Sequence, residues 1–388
     1  MEASMLMLPA AAPHAALALG ACPKENAACA LDGARARWSP LHGDLRDAPN
    51  AAALDASVHA LLDAGPRPAV IAHDLQPGGH GTRLAYALAD SLGVPALGVQ
   101  HHHAHLAVVA AEHGLAEPVV GWALDGAGLG TDGTAWGGEL LWLDDPRRSM
   151  RWKRICHLPA LPLPGGDAAV REPWRMAAAV LHTLGRGDEI VPRLSPDVGV
   201  AAAVAVQRTL ACDPHAPTTT AAGRWFDAAA AALGVHRGVQ ADAQAALALE
   251  NEAAGWLAGH STPPPLDRHG SLDLAPLVAS LFDVPQWRRA SGAARFHVSL
   301  AAALANAAAA AAEAHGVRTV VLGGGCFSNR ILATRVTERL EAAGLRVRRP
   351  AHAGCGDAGL ALGQAWVASW SLLHGIAPAA PPSVAAGG

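Results

Sequence analysis

The stretch Val119-Val120-Gly121-Trp122-Ala123-Leu124-Asp125-Gly126-Ala127-Gly128-Leu129-Gly130-Thr131-Asp132-Gly133-Thr134 decides how this chain is read. Val119–Leu124 is a short, nearly continuous apolar run, too brief for a helix and long enough for a buried strand. It stops at Asp125-Gly126 and enters a glycine-rich turn, after which Thr134–Leu143 reads as a second strand pairing with the first. A strand that ends in an acidic residue and a glycine-rich turn can bring backbone N–H groups close to an anion and a carboxylate close to a metal. An ordinary tight hairpin satisfies the same pattern, so the stretch needs support from its surroundings.

Working outward, Ala16–Cys22 and Ala27–Leu31 read as short strands around a Pro23-Lys24-Glu25-Asn26 turn. Val70–Leu75 is a strand followed by a helix over Thr82–Leu92, and Ala96–Gln100 is a strand running into a helix that opens at a histidine run. From about Asp167 to Leu257 the pattern turns helical, with amphipathic windows at Ala221–Leu233 and Ala241–Leu257; Pro263-Pro264-Pro265 with His269-Gly270 marks a loop. A long helix over Ala293–His315 precedes a strand (Thr319–Leu322), a helix (Asn329–Ala343), a strand (Leu345–Arg348) and a last helix from about Gly359. The expected organisation is a flexible N-terminus (1–16), a first α/β lobe (17–165), a mostly helical insertion or second-lobe region (166–290), a C-terminal α/β lobe (291–376) and a disordered tail (377–388). Two α/β lobes with a hairpin start and a late glycine-rich loop resemble the actin-like ATPase (ASKHA) superfamily.

Composition narrows the function classes. At 388 residues the chain exceeds what a single core usually holds, which favours two lobes around a cleft. The hydrophobic share of 51% places it among globular proteins. A formal charge of −4 and no Lys/Arg cluster speak against a nucleic-acid partner. Cys22, Cys29, Cys156, Cys212, Cys326 and Cys355 include no C-x-x-C pair, which suggests reduced thiols in a cytoplasmic protein. Glu2, Pro9, Pro13 and His14 interrupt the apolar start, so no export signal is expected. Ala301–Ala312 is too short and too weakly apolar to cross a membrane.

Four local patterns carry chemistry. In Gln100-His101-His102-His103-Ala104-His105, His101 and His105 are four apart at a helix start, so both imidazoles share a face and can share a metal. His102 and His103 point elsewhere, and a solvated polar turn is the plain alternative for the whole run. Asp125 ends the strand quoted above. Gly323-Gly324-Gly325 joins a strand to a helix opened by Asn329, where a nucleotide could approach the backbone closely. Gly356-Asp357-Ala358-Gly359 opens the last helix; Asp357 there is either a simple N-cap or a further metal ligand. Two histidines and two aspartates would suit Fe, Zn or Mn.

Together these segments resemble the HypF family's C-terminal carbamoyltransferase module, itself similar to the TsaD family of tRNA threonylcarbamoyl transferases. The resemblance runs from about Leu17 to Ala368 through His73-Asp74-Leu75-Gln76-Pro77, Val99–Leu106, Asp125–Glu139, Leu163–Asp167 with Arg171–Arg175, Gly223–Asp227, Phe296-His297, Gly323–Arg330 and Asp357–Gln364. It implies that His101, His105, Asp125 and Asp357 hold a divalent metal (Fe or Zn, with Mn and Mg as further options). It implies catalytic work for Asp132, Gly133 and Thr134 at the nucleotide site, and contacts to ATP or AMP from Gly166, Asp167, Gly223, Asp227, Gly324 and Asn329. The implied reaction moves a carbamoyl group from carbamoyl phosphate, through carbamoyl-AMP, to the C-terminal cysteine of HypE. Acylphosphatase, zinc-finger and YrdC-like segments precede this module in full-length HypF. Only about sixteen residues precede the first expected strand here, so a separate YrdC-like protein or direct use of carbamoyl phosphate is expected instead. The other readings are a tRNA modifier, a small-molecule O-carbamoyltransferase and an inactive HypE-binding scaffold.

Overall fold

The computed structural model describes residues 4–21, 26–147, 151–213, 216–239, 243–260 and 271–375. The expected turn at Pro23-Lys24-Glu25, the Pro263–Pro265 loop and the tail from 377 lie outside the described residues.

The first sheet is built from β1 (Ser4–Met7), β2 (Ala16–Ala18), β3 (Cys29–Asp32), β4 (Arg35–Trp38), β5 (Val70–Asp74) and β6 (Ala96–Val99), in the order β1-β4-β3-β2-β5-β6. β2, β3 and β4 form an antiparallel meander, while β5 runs parallel to β2 and β6 parallel to β5. Such parallel neighbours need crossovers, supplied by α1 (Ala48–Asp63) and α2 (His80–Leu92). β5, Val-Ile-Ala-His-Asp, is buried at every position, as a central parallel strand covered on both faces should be.

α3 (His101–His113) leaves the first sheet and enters the second. Residues 101–111 are all buried, which marks a helix packed on every side. The second sheet contains β7 (Val119–Leu129), β8 (Ala135–Leu143), β9 (Trp152–His157), β10 (Leu161–Pro162) and β11 (Thr218–Thr219), then β12 (Thr319–Gly323) and β13 (Arg346–Arg348) much later. β9-β8-β7-β12-β13 repeats the order of β4-β3-β2-β5-β6: an antiparallel meander followed by two parallel strands. The molecule is thus two copies of one topology, the two-lobed actin-like architecture.

Between β10 and β12 lies a helical region of α4 (Asp167–Arg171), α5 (Pro173–Thr183), α6 (Ile190–Val198), α7 (Val200–Cys212), α8 (Ala222–Ala232), α9 (Gln244–Gly259), α10 (Ala275–Leu281) and α11 (Arg289–Ala314). It shares one large core with the second sheet. There Trp122 of β7 is fully buried and its indole N–H donates to Leu304 O at 2.9 Å. α11 is long and apolar enough by composition to cross a membrane, but most of its length is buried in this core. α12 (Arg330–Ala342) follows β12, and α13 (Leu360–Leu373) closes the chain by returning to the first sheet and packing on α3. The two approach so closely at Gly363 that a Cβ there would lie 2.0 Å from Ala104 O.

Two expectations are corrected. Residues 4–7, expected to be flexible, form the edge strand β1, paired with β4 from Ser4↔Trp38 to Met7↔Arg35. The division at residue 165 does not follow the sheets, because β7–β9 belong to the second sheet and α13 to the first. Chain order hid both facts: β7 acquires its lobe by pairing with β12 nearly two hundred residues later, information that local periodicity does not carry.

Candidate active site and metal centre

The centre forms where the two sheets meet. Gln100 caps α3, its Oε1 accepting from the His103 N–H at 2.8 Å. The helical period then aligns His101 and His105, whose Nε2 atoms are 3.2 Å apart. Asp125 stands where the β7–β8 ladder slips between Leu124 and Gly128, an irregularity that frees it from the sheet. Each Nε2 lies 3.0 Å from Asp125 Oδ2, and Asp357 Oδ1 lies 3.5 Å from His101 and 3.4 Å from His105. Asp357 makes no cap on α13. The polar-turn alternative fails as well, since His101, His102, His103 and His105 are all buried.

Asp74, quoted above only as part of a motif, joins the centre through His101, a contact that sequence reasoning missed. It closes β5, and its Oδ2 accepts from His101 Nδ1 at 2.7 Å. Burial opposes protonation of His101, but Asp74, Asp125 and Asp357 outweigh it and hold its pKa well above the usual histidine value. The balance for His105 is the same in direction. Burial also works against an ionised Asp125, yet the two imidazoles win and keep it well below the usual carboxylate range. His103 lacks such partners, and burial pushes it down to about 3. It packs near Trp152, with ring centroids 5.7 Å apart.

The donor set fits a divalent cation. Two imidazole nitrogens and two carboxylate oxygens lie within 4.8 Å of one another. Asp357 Oδ1 is buried and meets no well-aligned donor, a cost that a cation would relieve. This N₂O₂ set suits Fe, Zn or Mn.

A cleft of about 390 Å³ opens beside the centre, lined by Asp74, Gln76, His101, Ala127, Gly128, Leu129, Gly133, Thr134, Ala135, Leu163, Pro217 and Thr218. Among the described residues, no Lys or Arg lines it. Gly133 and Thr134 line the cleft, whereas Asp132 braces the turn. Its Oδ1 accepts from Thr134 N–H at 3.0 Å, Thr134 Oγ1 at 2.7 Å and Trp136 Nε1 at 2.9 Å. A short carboxylate at the start of a turn is well placed for this local bonding. Behind the hairpin, Glu139 is fully buried; it accepts from Gly137 and Gly138 N–H and from Thr220 Oγ1, and pairs with Arg154 at 2.6 Å. Arg154 in turn covers Trp136, 3.9 Å from its ring centroid. Neither Arg154 nor Thr220 had a sequence signal.

The residues expected to bind nucleotide fall into two groups. Gly166 and exposed Asp167 open α4 just after Leu163 of the cleft wall. Gly223 packs on Gly126 and Gly325 on Asp125, so glycine turns from α8 and β12 surround the centre. Gly324 has φ +95°, and a Cβ there would meet Leu124 O at 2.3 Å. Asp227 and Asn329 stand beneath these turns. Asp227 is 1% exposed and 2.7 Å from Arg224 Nε, so a ribose contact would first require that pair to open. Both polar atoms of Asn329 are engaged: Oδ1 accepts from Leu332 N–H at 2.9 Å, and Nδ2 donates to His297 Nε2 at 3.0 Å.

Fold and centre together define a two-lobed actin-like protein with a His₂Asp₂ metal-ready site at the junction of its lobes. Comparison with known proteins narrows this class. The family model "Carbamoyltransferase, Kae1-like Domain, second subdomain" matches residues 121–364, and "HypF Kae1-like domain" matches residues 11–112. A Carbamoyltransferase HypF homolog of Cupriavidus necator is 53% identical over 382 residues, covering 96% of each chain. Carbamoyltransferase HypF2 of the same organism is 45% identical over 91% of this chain but only 46% of its own length. The crystal structure of T. kodakarensis HypF matches with a TM-score of 0.83 at 28% identity, over 95% of this chain and 49% of that one. A full-length HypF in a phosphate- and nucleotide-bound form gives 0.78 at 28% identity, over 95% and 57%. This chain belongs to the HypF carbamoyltransferase family. It spans nearly all of one relative and about half of the others described here.

Proposed function

We propose that the chain is a carbamoyl-transfer module of [NiFe]-hydrogenase maturation. It takes an activated carbamoyl group, as carbamoyl phosphate or carbamoyl-AMP, and passes it to the C-terminal cysteine of HypE, giving the precursor of the cyanide ligands. The observation that carries this reading is the convergence of His101, His105, Asp125 and Asp357 beside a cleft whose described lining holds no Lys or Arg. Among the described residues no Lys or Arg lines the cleft for a phosphorylated substrate to meet, so its charge calls for a cation held by these four side chains. When bound, a divalent cation polarises a carbonyl and offsets phosphate charge.

The chain's own residues supply the rest. Asp74 holds His101 by Nδ1 and leaves Nε2 for the centre. Gly133 and Thr134, braced by Asp132, wall the cleft where the substrate lies. ATP or AMP rests against the glycine turns at Gly166, Gly223 and Gly324, with Asp167 at the rim and Asp227 and Asn329 supporting from below. The acceptor thiolate forms a C–S bond to the carbamoyl carbon, the C–O bond to phosphate breaks, and phosphate or AMP leaves with the electron pair. The five described cysteines are all free, consistent with a reducing cytoplasm.

The activated group comes either from a separate YrdC-like adenylating protein or from carbamoyl phosphate used directly. Purified protein incubated with carbamoyl phosphate, with and without ATP, separates these routes through release of phosphate, pyrophosphate and AMP. Phosphate release above the spontaneous rate, lost in the His101→Ala/His105→Ala variant, is the expected result. Turnover only after a YrdC-like protein and ATP are added would replace the direct route with the two-protein one. No turnover and no carbamoyl transfer to a HypE C-terminal peptide under either condition would overturn the reading.

A further inference from the structure

Asp357 sits at the end of residues 349–356, the connection that carries the chain from β13 in the second sheet back to α13 on the first. This connection forms no helix or strand, so its backbone N–H groups need partners from elsewhere. The last turn of α3 provides them. The Glu112 carboxylate accepts from three successive N–H groups: Ala351, His352 at 3.1 Å and Ala353 at 2.6 Å. Beside it, His113 Nε2 donates to Arg349 O at 2.8 Å. One helix therefore grips the connection at its C-terminal end and presents His101 and His105 at its N-terminal end. α3 is one continuous helix between these ends, rising about 1.5 Å per residue, so the clasp links the placement of Asp357 to that of the two histidines.

We propose that Glu112, assisted by His113, is a positioning residue for the metal centre: it fixes Asp357 against the His101/His105 pair by tying the interlobe connection to α3. The inference rests on the metal reading of that centre. Glu112 touches neither the four ligands nor the cleft. Its action runs through the backbone of 351–353.

The test uses Co(II) alone as the probe, with affinity measured by chelator competition and coordination followed by visible absorption. Glu112→Gln replaces an acceptor oxygen with an amide that faces N–H groups. It should weaken Co(II) binding about tenfold or more, within the range of outer-shell losses, and alter the visible bands, with the circular dichroism unchanged. His113→Ala should shift both readings the same way by less. Glu189→Gln, which breaks a surface ion pair with Arg186 and Arg193, should leave both readings at the wild-type values. Wild-type affinity and bands in Glu112→Gln would overturn the role of Glu112 while leaving the metal centre standing. A wild-type protein that takes up no Co(II) would remove the centre and the clasp together. Should Glu112→Gln fail to fold, unchanged affinity and bands in His113→Ala would overturn the proposal.

Discussion

His101 and Asp74 are joined by a 2.7 Å contact between Nδ1 and Oδ2, made from the first turn of α3 to the last residue of β5. A carboxylate at one ring nitrogen fixes the tautomer and directs the other nitrogen outward, here toward Asp125 and Asp357. Asp74→Asn is therefore expected to keep the fold and to weaken divalent-metal binding by about 10–100-fold. Metal analysis after dialysis against graded chelator reads this directly; wild-type retention would remove Asp74 from the role.

Asp227 lies in a buried pair with Arg224, which is itself 8% exposed. Asp227→Ala strands a guanidinium away from water, a change that costs about 3 kcal/mol. Urea unfolding should show that loss, and AMP calorimetry should show weaker binding as the glycine turns above it loosen. Weaker AMP binding at unchanged stability would instead favour a direct ribose contact.

His297 is fully buried between Ala293 O, which accepts from Nδ1 at 2.9 Å, and the Asn329 amide, which donates to Nε2 at 3.0 Å. Only the neutral ring satisfies both, and burial takes its pKa from 6.5 down to about 4. The unfolded chain therefore binds a proton that the native state refuses between those values. The stability contribution is complete above pH 6.5 and is lost as pH falls to about 4, a total of about 3 kcal/mol. In His297→Gln, the urea midpoint should depend less steeply on pH across this window. Identical slopes in the two proteins would contradict the assignment.

Gly324 combines a left-handed φ of +95° with a backbone oxygen, Leu124 O, in the place of a Cβ. Gly324→Ala should cost about 1–3 kcal/mol from backbone strain alone. It should also push Leu124 and Asp125 out of position, so metal content should fall with stability. Thermal unfolding paired with metal analysis measures both, and a stable, metal-replete variant would contradict the close approach.

Much of the fold was legible because its central strands are short apolar runs with clear ends. Val70–Asp74 and Thr319–Gly323 are buried throughout; the first follows Pro66-Arg67-Pro68 and the second runs into Gly324-Gly325, so local composition goes far toward placing them. The edge strand Ser4–Met7 was not legible, since among the described residues it pairs with β4 alone and nothing in its own four residues requires pairing.

The candidate site divides in the same way. Sequence by itself determined that His101 and His105 share a helix face, because the 3.6-residue period fixes it. It also determined that the apolar run stops at Asp125, but not that the strand continues to Leu129 past the irregularity that frees Asp125. It could not show that Asp74 reaches His101, that Asp132 braces its own turn, or that Asn329 is occupied by His297. Nor could it assign β7 to the second lobe. Those relationships join segments whose meeting depends on parallel crossovers and on the packing of α13 against α3. Only the tertiary structure decides them, because the energy of a contact between distant segments appears only after the intervening chain has been closed into place.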